Sequence, residues 1–268
     1  TFTITHLAFA ADKKNNAELL MGVAPFMSPD KLFKRFLPLK NYLSKKLNKE
    51  VVLELNRNTA QLIKRTDAGR YDFILTGPNF ALRAIDSGLY VPGVIPGDLT
   101  TAVILVNSTS PITSINQLKN KTVSMPPKLG AIPKVALNLF INNGLEITEL
   151  PKTIHYASHN AALLAVQNGD VDAAIIATFA YKNNHTPDKQ MRAIAHSRPF
   201  PGVSFIFSKQ LPTQTRETLI TTIIELNNSI QGKALLKKIS FQPFRRSTYQ
   251  EFDGYREYFE KKPKRTRK

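Results

Sequence analysis

The sequence contains no cysteine among its 268 residues. This absence excludes disulfide bonds, metal sites held by thiolates and catalysis by a Cys nucleophile within the chain. Long hydrophobic runs are missing as well, because no segment approaches the roughly 20 apolar residues needed to cross a bilayer. The rest of the composition, with 42% hydrophobic and 21% charged residues, is typical of a globular protein of one or two domains.

Acidic residues are scarce relative to basic ones. The chain has 20 Asp and Glu against 37 Lys and Arg, a formal net charge of +17. Such a balance can indicate a nucleic-acid or membrane-surface partner. No aromatic-rich stacking motif accompanies the basic residues, so we expect no nucleic-acid partner. Six of the positive charges lie in residues 261–268, which hold no acidic residue, and this segment is predicted to be a disordered basic tail.

Residues 1–10 carry the pattern of a processing signal. This mildly apolar segment ends in Ala8-Phe9-Ala10, a small-x-small triplet that fits a signal-peptidase site before Ala11. We therefore expect residues 1–10 to be the remnant of a cleaved signal peptide and the protein to be periplasmic. The alternative is a short exposed strand.

The sequence offers no catalytic or metal-binding constellation. Its five histidines include no pair with the H-E-x-x-H spacing of a metal site. His155 and His159 are four residues apart, but a predicted strand end and a turn separate them. No nucleophile with a positioned base is recognisable. We expect neither an enzyme nor a cofactor.

Two segments 100 residues apart share one pattern. Residues 69–80 read Gly-Arg-Tyr-Asp-Phe-Ile-Leu-Thr-Gly-Pro-Asn-Phe, and residues 169–178 again place an Asp three residues after a Gly, just before an apolar run. The repeat predicts a helix, a Gly stop and a buried strand in each of two α/β lobes. Because ligands lie outside the carboxyl ends of strands in such sheets, residues 76–80 and 177–179 are predicted to be walls of one cleft. The alternative is two ordinary core strands with exposed turns.

Strands alternate with helices along the chain, which predicts mostly parallel sheets. Pro38 is expected to kink or divide the first long helix. The fold class is α/β, with two Rossmann-like lobes joined by a hinge that the chain crosses twice. Residues 18–103 and 203–260 are predicted to form lobe 1, and residues 104–202 lobe 2. Hinged lobes of this kind close on a ligand.

Several motifs together resemble one protein family. They include Gly22-Val23-Ala24-Pro25, Gly69-Arg70-Tyr71-Asp72-Phe73 with Gly77-Pro78, Ser158-His159-Asn160, and Asn168-Gly169-Asp170-Val171-Asp172. Over about residues 20–250 the chain is similar to the periplasmic substrate-binding proteins of phosphate, phosphite and phosphonate ABC transporters. The resemblance implies a type 2 periplasmic-binding-protein fold, with a ligand held between the lobes and delivered to a membrane permease.

The ligand residues of that family are only partly matched. Its Ser-His-Asp helix start appears here as Ser158-His159-Asn160. Its Ser/Thr-rich grip is replaced by residues 125–130, which contain no hydroxyl. Two expected tyrosines are replaced, near Asn58-Thr59 and near Asn79-Phe80. The resemblance and the predicted cleft together nominate these ligand-binding residues: Pro25, Phe26, Asn58, Thr59, Thr76, Gly77, Asn79, Phe80, Lys128, Gly130, Ser158, His159, Asn160, Thr178 and Arg198.

The nominated residues suit an anion. Free N–H groups at the helix starts near Asn79, Gly130 and Asn160 would present partial positive charge. Lys128 and Arg198 could add full charges, although each could equally be a solvated surface residue. His159 is expected to be held neutral by the helix dipole and to donate from one ring nitrogen; the alternative is a capping histidine without a ligand.

The predicted function is that of a monomeric periplasmic solute-binding protein. It would close its lobes on a small, phosphonate- or phosphate-like anion and deliver it to an ABC permease. The alternative is a periplasmic sensor or accessory protein that signals to a membrane partner. An enzyme on the same fold is the least favoured reading, because no catalytic constellation is present.

Overall fold

The computed structural model describes residues 18–97, 99–182 and 191–259. The predicted signal-peptide remnant (1–10) and basic tail (261–268) lie outside these ranges. The strands, in chain order, are β1 (Glu18–Val23), β2 (Glu50–Leu55), β3 (Phe73–Thr76), β4 (Tyr90–Pro96), β5 (Leu99–Thr100), β6 (Ala102–Asn107), β7 (Thr122–Met125), β8 (Lys152–His155), β9 (Ala173–Ala177), β10 (Met191–His196), β11 (Phe200–Pro201), β12 (Ser204–Ser208) and β13 (Phe244–Arg246).

The helices, in chain order, are α1 (Pro29–Leu47), α2 (Thr59–Asp67), α3 (Pro78–Asp86), α4 (Ala131–Asn142), α5 (His159–Gln167), α6 (Thr178–Lys182), α7 (Thr213–Glu225), α8 (Ile230–Ile239) and α9 (Tyr249–Phe259). Two short 3₁₀ turns lie at Ile115–Leu118 and Ile147–Glu149. A search of the described helices finds none with the length and apolarity that a membrane crossing requires.

Two main sheets form the two lobes. The first has the strand order β13-β4-β12-β3-β1-β2 and the second β10-β6-β9-β7-β8. Parallel pairing joins β1 to β2 and β3, and β7 to β8 and β9. All other pairs in the main sheets are antiparallel. The expectation of mostly parallel sheets was therefore wrong, because β4, β10 and β13 were not recognised as strands and each pairs antiparallel.

Helices cover both faces of each main sheet. In the first lobe, Phe73 and Leu75 contribute to a core with α1, α7 and α8, while Ile74 packs with α2, α3 and α9. In the second lobe, Ile175 packs with α4 and Ile176 with α5. Burial on both faces explains why the central strands are continuous apolar runs instead of alternating ones.

The chain passes between the lobes at two neighbouring places. Strands β5 and β11 pair antiparallel there, with Thr100 opposite Phe200 and Leu99 opposite Pro201. Strand β6 of the second sheet begins at Ala102, so the predicted lobe boundary between residues 103 and 104 lies inside this strand. The two crossings form one short ribbon beside the space between the lobes.

Helix α1 runs without a break through Pro38, so the predicted division does not occur. A proline inside a helix removes one backbone hydrogen bond and costs about 3 kcal/mol. The helix buries Leu32, Phe36, Leu39 and Leu43 completely. Burial of four large apolar side chains offsets the cost of the proline.

The 100-residue repeat has the same geometry in both lobes. Asp72 accepts a hydrogen bond from the Leu20 N–H (2.7 Å), and Asp172 accepts one from the Thr122 N–H (2.8 Å). Each carboxylate thus ties the start of its strand to the neighbouring parallel strand. The preceding glycines have φ of +65° at Gly69 and +81° at Gly169, a conformation that favours glycine.

Candidate functional site

A cavity of about 100 Å³ lies between the lobes. The ends of several strands border it, together with the loops and helix starts that follow them. Nine of the nominated ligand residues line it: Pro25, Phe26, Thr59, Gly77, Asn79, Phe80, Gly130, Ser158 and His159. The segments predicted to be cleft walls therefore do meet at one cavity.

Four helices begin at this cavity, two from each lobe. Helix α2 contributes Thr59, α3 its first three residues from Pro78, α4 the segment 130–132, and α5 Ser158 with His159. The first N–H groups of a helix have no acceptor within the helix, and the helix dipole places partial positive charge there. The arrangement can therefore hold an anion with backbone donors from both lobes.

No Lys, Arg, Asp or Glu of the described residues lines this cavity. The lining is mainly apolar and rich in proline, with Pro25, Pro78, Pro126, Pro127 and Pro201. Low polarity strengthens the interaction of an anion with the few N–H donors that remain. The described residues also contain no group of three His, Cys, Asp or Glu placed to bind a metal ion.

His159 is the only histidine among the described residues that lines the cavity. The Ala177 N–H donates to its Nδ1 (3.2 Å), so the neutral ring carries its proton on Nε2. Burial lowers the pKa of His159 from 6.5 to about 4. The expectation of a neutral donor agrees with this geometry, but the cause is loss of solvent instead of the helix dipole.

The pKa of His159 has a consequence for stability. Between about pH 6.5 and about pH 4 the unfolded chain binds a proton at this residue and the folded protein does not. Stability is therefore highest above pH 6.5 and falls as the pH falls to about 4. Because the ring keeps some solvent exposure, we expect the wild type to lose about 2 kcal/mol more than His159→Gln over this interval. Urea unfolding of both proteins across the interval measures the difference, and parallel stability curves would contradict the assignment.

Asn79 joins the two lobes across the cavity. Its Nδ2 donates to the carbonyl oxygen of Leu129 (2.8 Å), which precedes α4. Its Oδ1 is buried without a hydrogen-bond partner among the described residues. The structure therefore shows an arrangement in which the lobes touch at the cavity, and it leaves one amide acceptor unsatisfied there.

Three other nominated residues lie close by but outside the lining. Asn58 caps α2 by accepting from the Gln61 N–H, and Thr76 is buried at the end of β3. Thr178 borders a second cavity and donates its hydroxyl to the Thr101 carbonyl oxygen (3.1 Å).

The two nominated cations are also outside the lining. Lys128 borders an outer groove with Lys134 and Arg83, which shares Asn79 and Phe80 with the cavity. Arg198 is exposed beside the second crossing, and Asn160 is exposed on α5. The nominated residues that do line the cavity are thus all without a full charge.

Sequence reasoning missed the contribution of the crossing segments. Thr100 and residues 200–203 form one side of the cavity, but β5 and β11 have only two residues each and carry no periodic pattern. The predicted pair of chain crossings could have identified these residues, because hinge segments border the cleft between the lobes.

Solved structures of periplasmic binding proteins share this fold. PhnD1 of Prochlorococcus marinus (MIT 9301), solved with methylphosphonate, matches with a TM-score of 0.80 at 19% identity, over 91% of this chain and 97% of its own. A binding-protein component of a Pseudomonas aeruginosa ABC phosphonate transporter matches with a TM-score of 0.77 at 18% identity, over 91% and 86%. The predicted type 2 periplasmic-binding-protein fold is confirmed.

The sequence matches a family model over most of its length. Residues 21–252 match the model described as ABC transporter, phosphonate, periplasmic substrate-binding protein. The phosphonates-binding periplasmic protein of Escherichia coli (strain K12) is 24% identical over 259 residues, covering 91% of this chain and 76% of the relative. Members of the family are substrate-binding components and not enzymes, which confirms the prediction of a solute-binding protein. The chain belongs to the family of periplasmic phosphonate-binding proteins of ABC transporters.

Proposed function

We propose that this protein binds the phosphonate group of its ligand in the cavity between the lobes and presents the closed complex to an ABC permease. One observation carries the proposal: the starts of four helices line a cavity together with His159, whose neutral ring carries its proton on Nε2, and none of the described residues brings a charged side chain to that lining. Oxyanions are the ligands that such donor sets select.

The size of the cavity supports a compact head group. Its volume of about 100 Å³ is below the 300–1,000 Å³ of sites for drug-sized molecules. A tetrahedral oxyanion has three oxygens available to N–H donors from both lobes. Each hydrogen bond to a charged group contributes about 1.5–3 kcal/mol, so three or four such bonds suffice for tight binding.

Contact between the lobes supports a closing mechanism. The Asn79–Leu129 hydrogen bond links α3 to the segment before α4. Asn79 lines the cavity, and Leu129 lines the adjoining outer groove. An anion that accepts hydrogen bonds from both lobes would favour the same closed arrangement, because its donors come from both. A permease that recognises the closed form would then receive only the loaded protein.

The site differs from the family pattern at the segment before α4. Pro126 and Pro127 line the cavity where the resemblance implies a Ser/Thr-rich grip. Proline has neither a hydroxyl nor a backbone N–H, so this loop cannot donate at these two positions. We infer that the phosphonate oxygens depend more on α3, α5 and His159 here, and that selectivity among oxyanions is altered.

The remaining expectations belong to the same proposal. The protein acts as a monomer with no nucleic-acid partner, after removal of the signal peptide, and its lobes comprise residues near 18–101 with 203–259, and near 102–202. Strand membership in the two sheets supports this division. Absence of an aromatic stacking motif supports the lack of a nucleic-acid partner.

A thermal-shift titration tests the proposal. The full chain is titrated at fixed salt with methylphosphonate, 2-aminoethylphosphonate, phosphite, phosphate and sulfate. At one hundred times its Kd a ligand stabilises by about 2.7 kcal/mol, which corresponds to a rise of about 5–10 °C in Tm for a chain of this size. We expect such a rise with a phosphonate and a smaller one with sulfate. Unchanged Tm with every oxyanion would contradict the proposal and favour the sensor role.

A further inference from the structure

A second and larger cavity adjoins the first. Its volume is about 420 Å³, and five residues border both cavities: Phe26, Thr100, Phe179, Gly202 and Val203. The two cavities therefore adjoin along these residues. Exposed Leu99 and Gln242 lie at the outer rim of the second cavity.

Arg35 reaches this second cavity from α1. Its Nε donates to the Ile239 carbonyl oxygen (2.6 Å) and its Nη2 to the Ser240 carbonyl oxygen (3.4 Å), at the end of α8. The guanidinium also lies over the rings of Phe36 and Phe241, at 5.9 and 5.6 Å from their centroids. These contacts hold the group in one place beside the cavity.

The positive charge of Arg35 has no acidic partner in the part of the chain that the structure describes. Within residues 18–97, 99–182 and 191–259, no carboxylate forms an ion pair with it. Its Nη1 contacts only the Met27 thioether (3.7 Å), a weak acceptor, which leaves N–H donors unused. Burial lowers the pKa of the guanidinium below 12.5, yet arginine stays charged at neutral pH. The described partners of this half-buried guanidinium are carbonyl oxygens, a thioether and two rings, so its charge and its unused N–H donors remain available to an anion.

The Thr100 hydroxyl is a second polar group beside this cavity that is available to a ligand. Thr100 is only 9% exposed, borders both cavities, and its Oγ1 has no hydrogen-bond partner among the described residues. The neighbouring hydroxyls of Thr101 and Thr178, which also line the second cavity, are bonded to each other. Thr100 thus places a buried hydroxyl, unpartnered among the described residues, where the two cavities adjoin.

We propose that the second cavity is a subsite for a second anionic group of an elongated ligand, with the Arg35 guanidinium pairing with its oxygens and the Thr100 hydroxyl bonding the ligand between its two ends. The inference rests on the proposed function, since the first cavity holds the phosphonate head. The ligand class is a phosphonate that carries a carboxylate at the far end of a short chain. A guanidinium fork matches a carboxylate in shape and charge, and an ammonium group would be repelled.

Calorimetry on the full chain with two matched series tests this subsite. The acids are phosphonoacetate, 3-phosphonopropionate and 4-phosphonobutyrate, and the controls are methylphosphonate, 2-aminoethylphosphonate and 3-aminopropylphosphonate. We expect at least one acid to bind tenfold or more tightly than both methylphosphonate and the amines. Arg35→Gln should reduce the affinity ratio of that acid to methylphosphonate at least fivefold, and Arg35→Lys should reduce it less.

Control variants separate binding from folding. Arg70→Gln removes an exposed arginine that pairs with Glu54, and it should keep the wild-type ratio. Thr100→Val keeps nearly the same shape and lacks only the hydroxyl. It therefore tests the subsite even if Arg35→Gln unfolds because it loses its hydrogen bonds to the end of α8. We expect the affinity ratio of the acid to methylphosphonate to fall about threefold in Thr100→Val.

The outcomes distinguish the two proposals. The second subsite is overturned if no acid binds more tightly than the amines. It is also overturned if the affinity ratio of the acid to methylphosphonate is unchanged in both Arg35→Gln and Thr100→Val. In either case, binding of methylphosphonate would still support the proposed function. Failure of every phosphonate to bind overturns the proposed function, and the second subsite with it.

Discussion

His159→Ala is expected to lower the affinity for methylphosphonate about 10- to 100-fold. The neutral imidazole holds its Nδ1 against the Ala177 N–H, which leaves Nε2–H as a donor at the cavity. Loss of one hydrogen bond to a charged oxyanion costs about 1.5–3 kcal/mol, which gives this range of affinity. Calorimetric titration of the wild type and the variant measures it.

Two controls accompany the His159 experiment. His196→Ala removes an exposed histidine outside the cavity lining and should leave the affinity within twofold of the wild type. His159→Phe keeps a ring of similar size against Phe179 but has no donor, so it should bind as weakly as the Ala variant. Wild-type affinity in His159→Phe would show that the ring only fills space.

Gly93→Ala is expected to destabilise the protein by about 3 kcal/mol or more. A methyl group at this position would lie 2.0 Å from Cε2 of Phe207 and 2.7 Å from the Phe205 carbonyl oxygen. Phe207 is fully buried and stacked on Phe73 with ring centroids 5.8 Å apart, so it has no space to move. Overpacking in a rigid core costs 1–3 kcal/mol and more where backbone must shift.

The structure explains why glycine is needed there. Pro92 lies opposite Ile206 and Val94 opposite Phe205, so Gly93 is the extra residue of a β-bulge in β4. Gly254→Ala is the matched control, because its added Cβ meets nothing within 4 Å on the exposed side of α9. Alanine should stabilise that helix by about 0.5–1 kcal/mol. Urea unfolding measures both variants, and a loss below 1 kcal/mol in Gly93→Ala would contradict the packing argument.

The two largest effects therefore act on different properties. His159 contributes a donor that matters when the ligand is present, and Gly93 contributes the absence of a side chain in the core of the first sheet. We expect His159→Ala to fold, since His159 is only partly buried. Any Gly93→Ala molecule that folds should bind methylphosphonate normally, because Gly93 does not line the cavity.

The uncharged lining changes how the net charge of +17 should be understood. Lys128 and Lys134 lie in the outer groove that shares Asn79 and Phe80 with the cavity, so they can attract an anion toward the opening without contacting it in the closed form. Under the proposed function, helix starts and His159 would then provide the contacts. The salt-dependent attraction would then come from the outer groove, and the selective contacts would come from the cavity.

Local sequence determined the repeated units of the two lobes. Gly69 and Gly169 adopt positive φ, and Asp72 and Asp172 each bind the N–H of a neighbouring strand. The repeat at a spacing of 100 residues was enough to predict the glycine stops and the buried strands. The bonds of the two Asp side chains depend on an adjacent strand and were not predicted. Local sequence likewise predicted the helix start at Ser158, which accepts from the Ala161 N–H as a helix cap.

Element boundaries were less predictable where strands are short or pair late. Residues 90–96 contain two prolines and a glycine, which hid β4, and β13 has only three residues. Strand β4 forms because β12 returns from the second lobe and pairs with it, and β13 forms by pairing with β4. Strand β4 lies more than 100 residues before both β12 and β13 in the chain. No short stretch of sequence therefore contains both this strand and either of its pairing partners.

The sequence by itself determined the family, the two α/β lobes and the position of His159 at a helix start beside the cleft. Only the tertiary structure decided that Lys128 and Arg198 stay out of the cavity, that Asn79 joins Leu129, and that Arg35 meets the end of α8 about 200 residues further along the chain. The physical reason is that a side chain's neighbours across a cleft are set by how whole elements pack, whereas helix starts, glycine turns and apolar runs are set by residues adjacent in the chain.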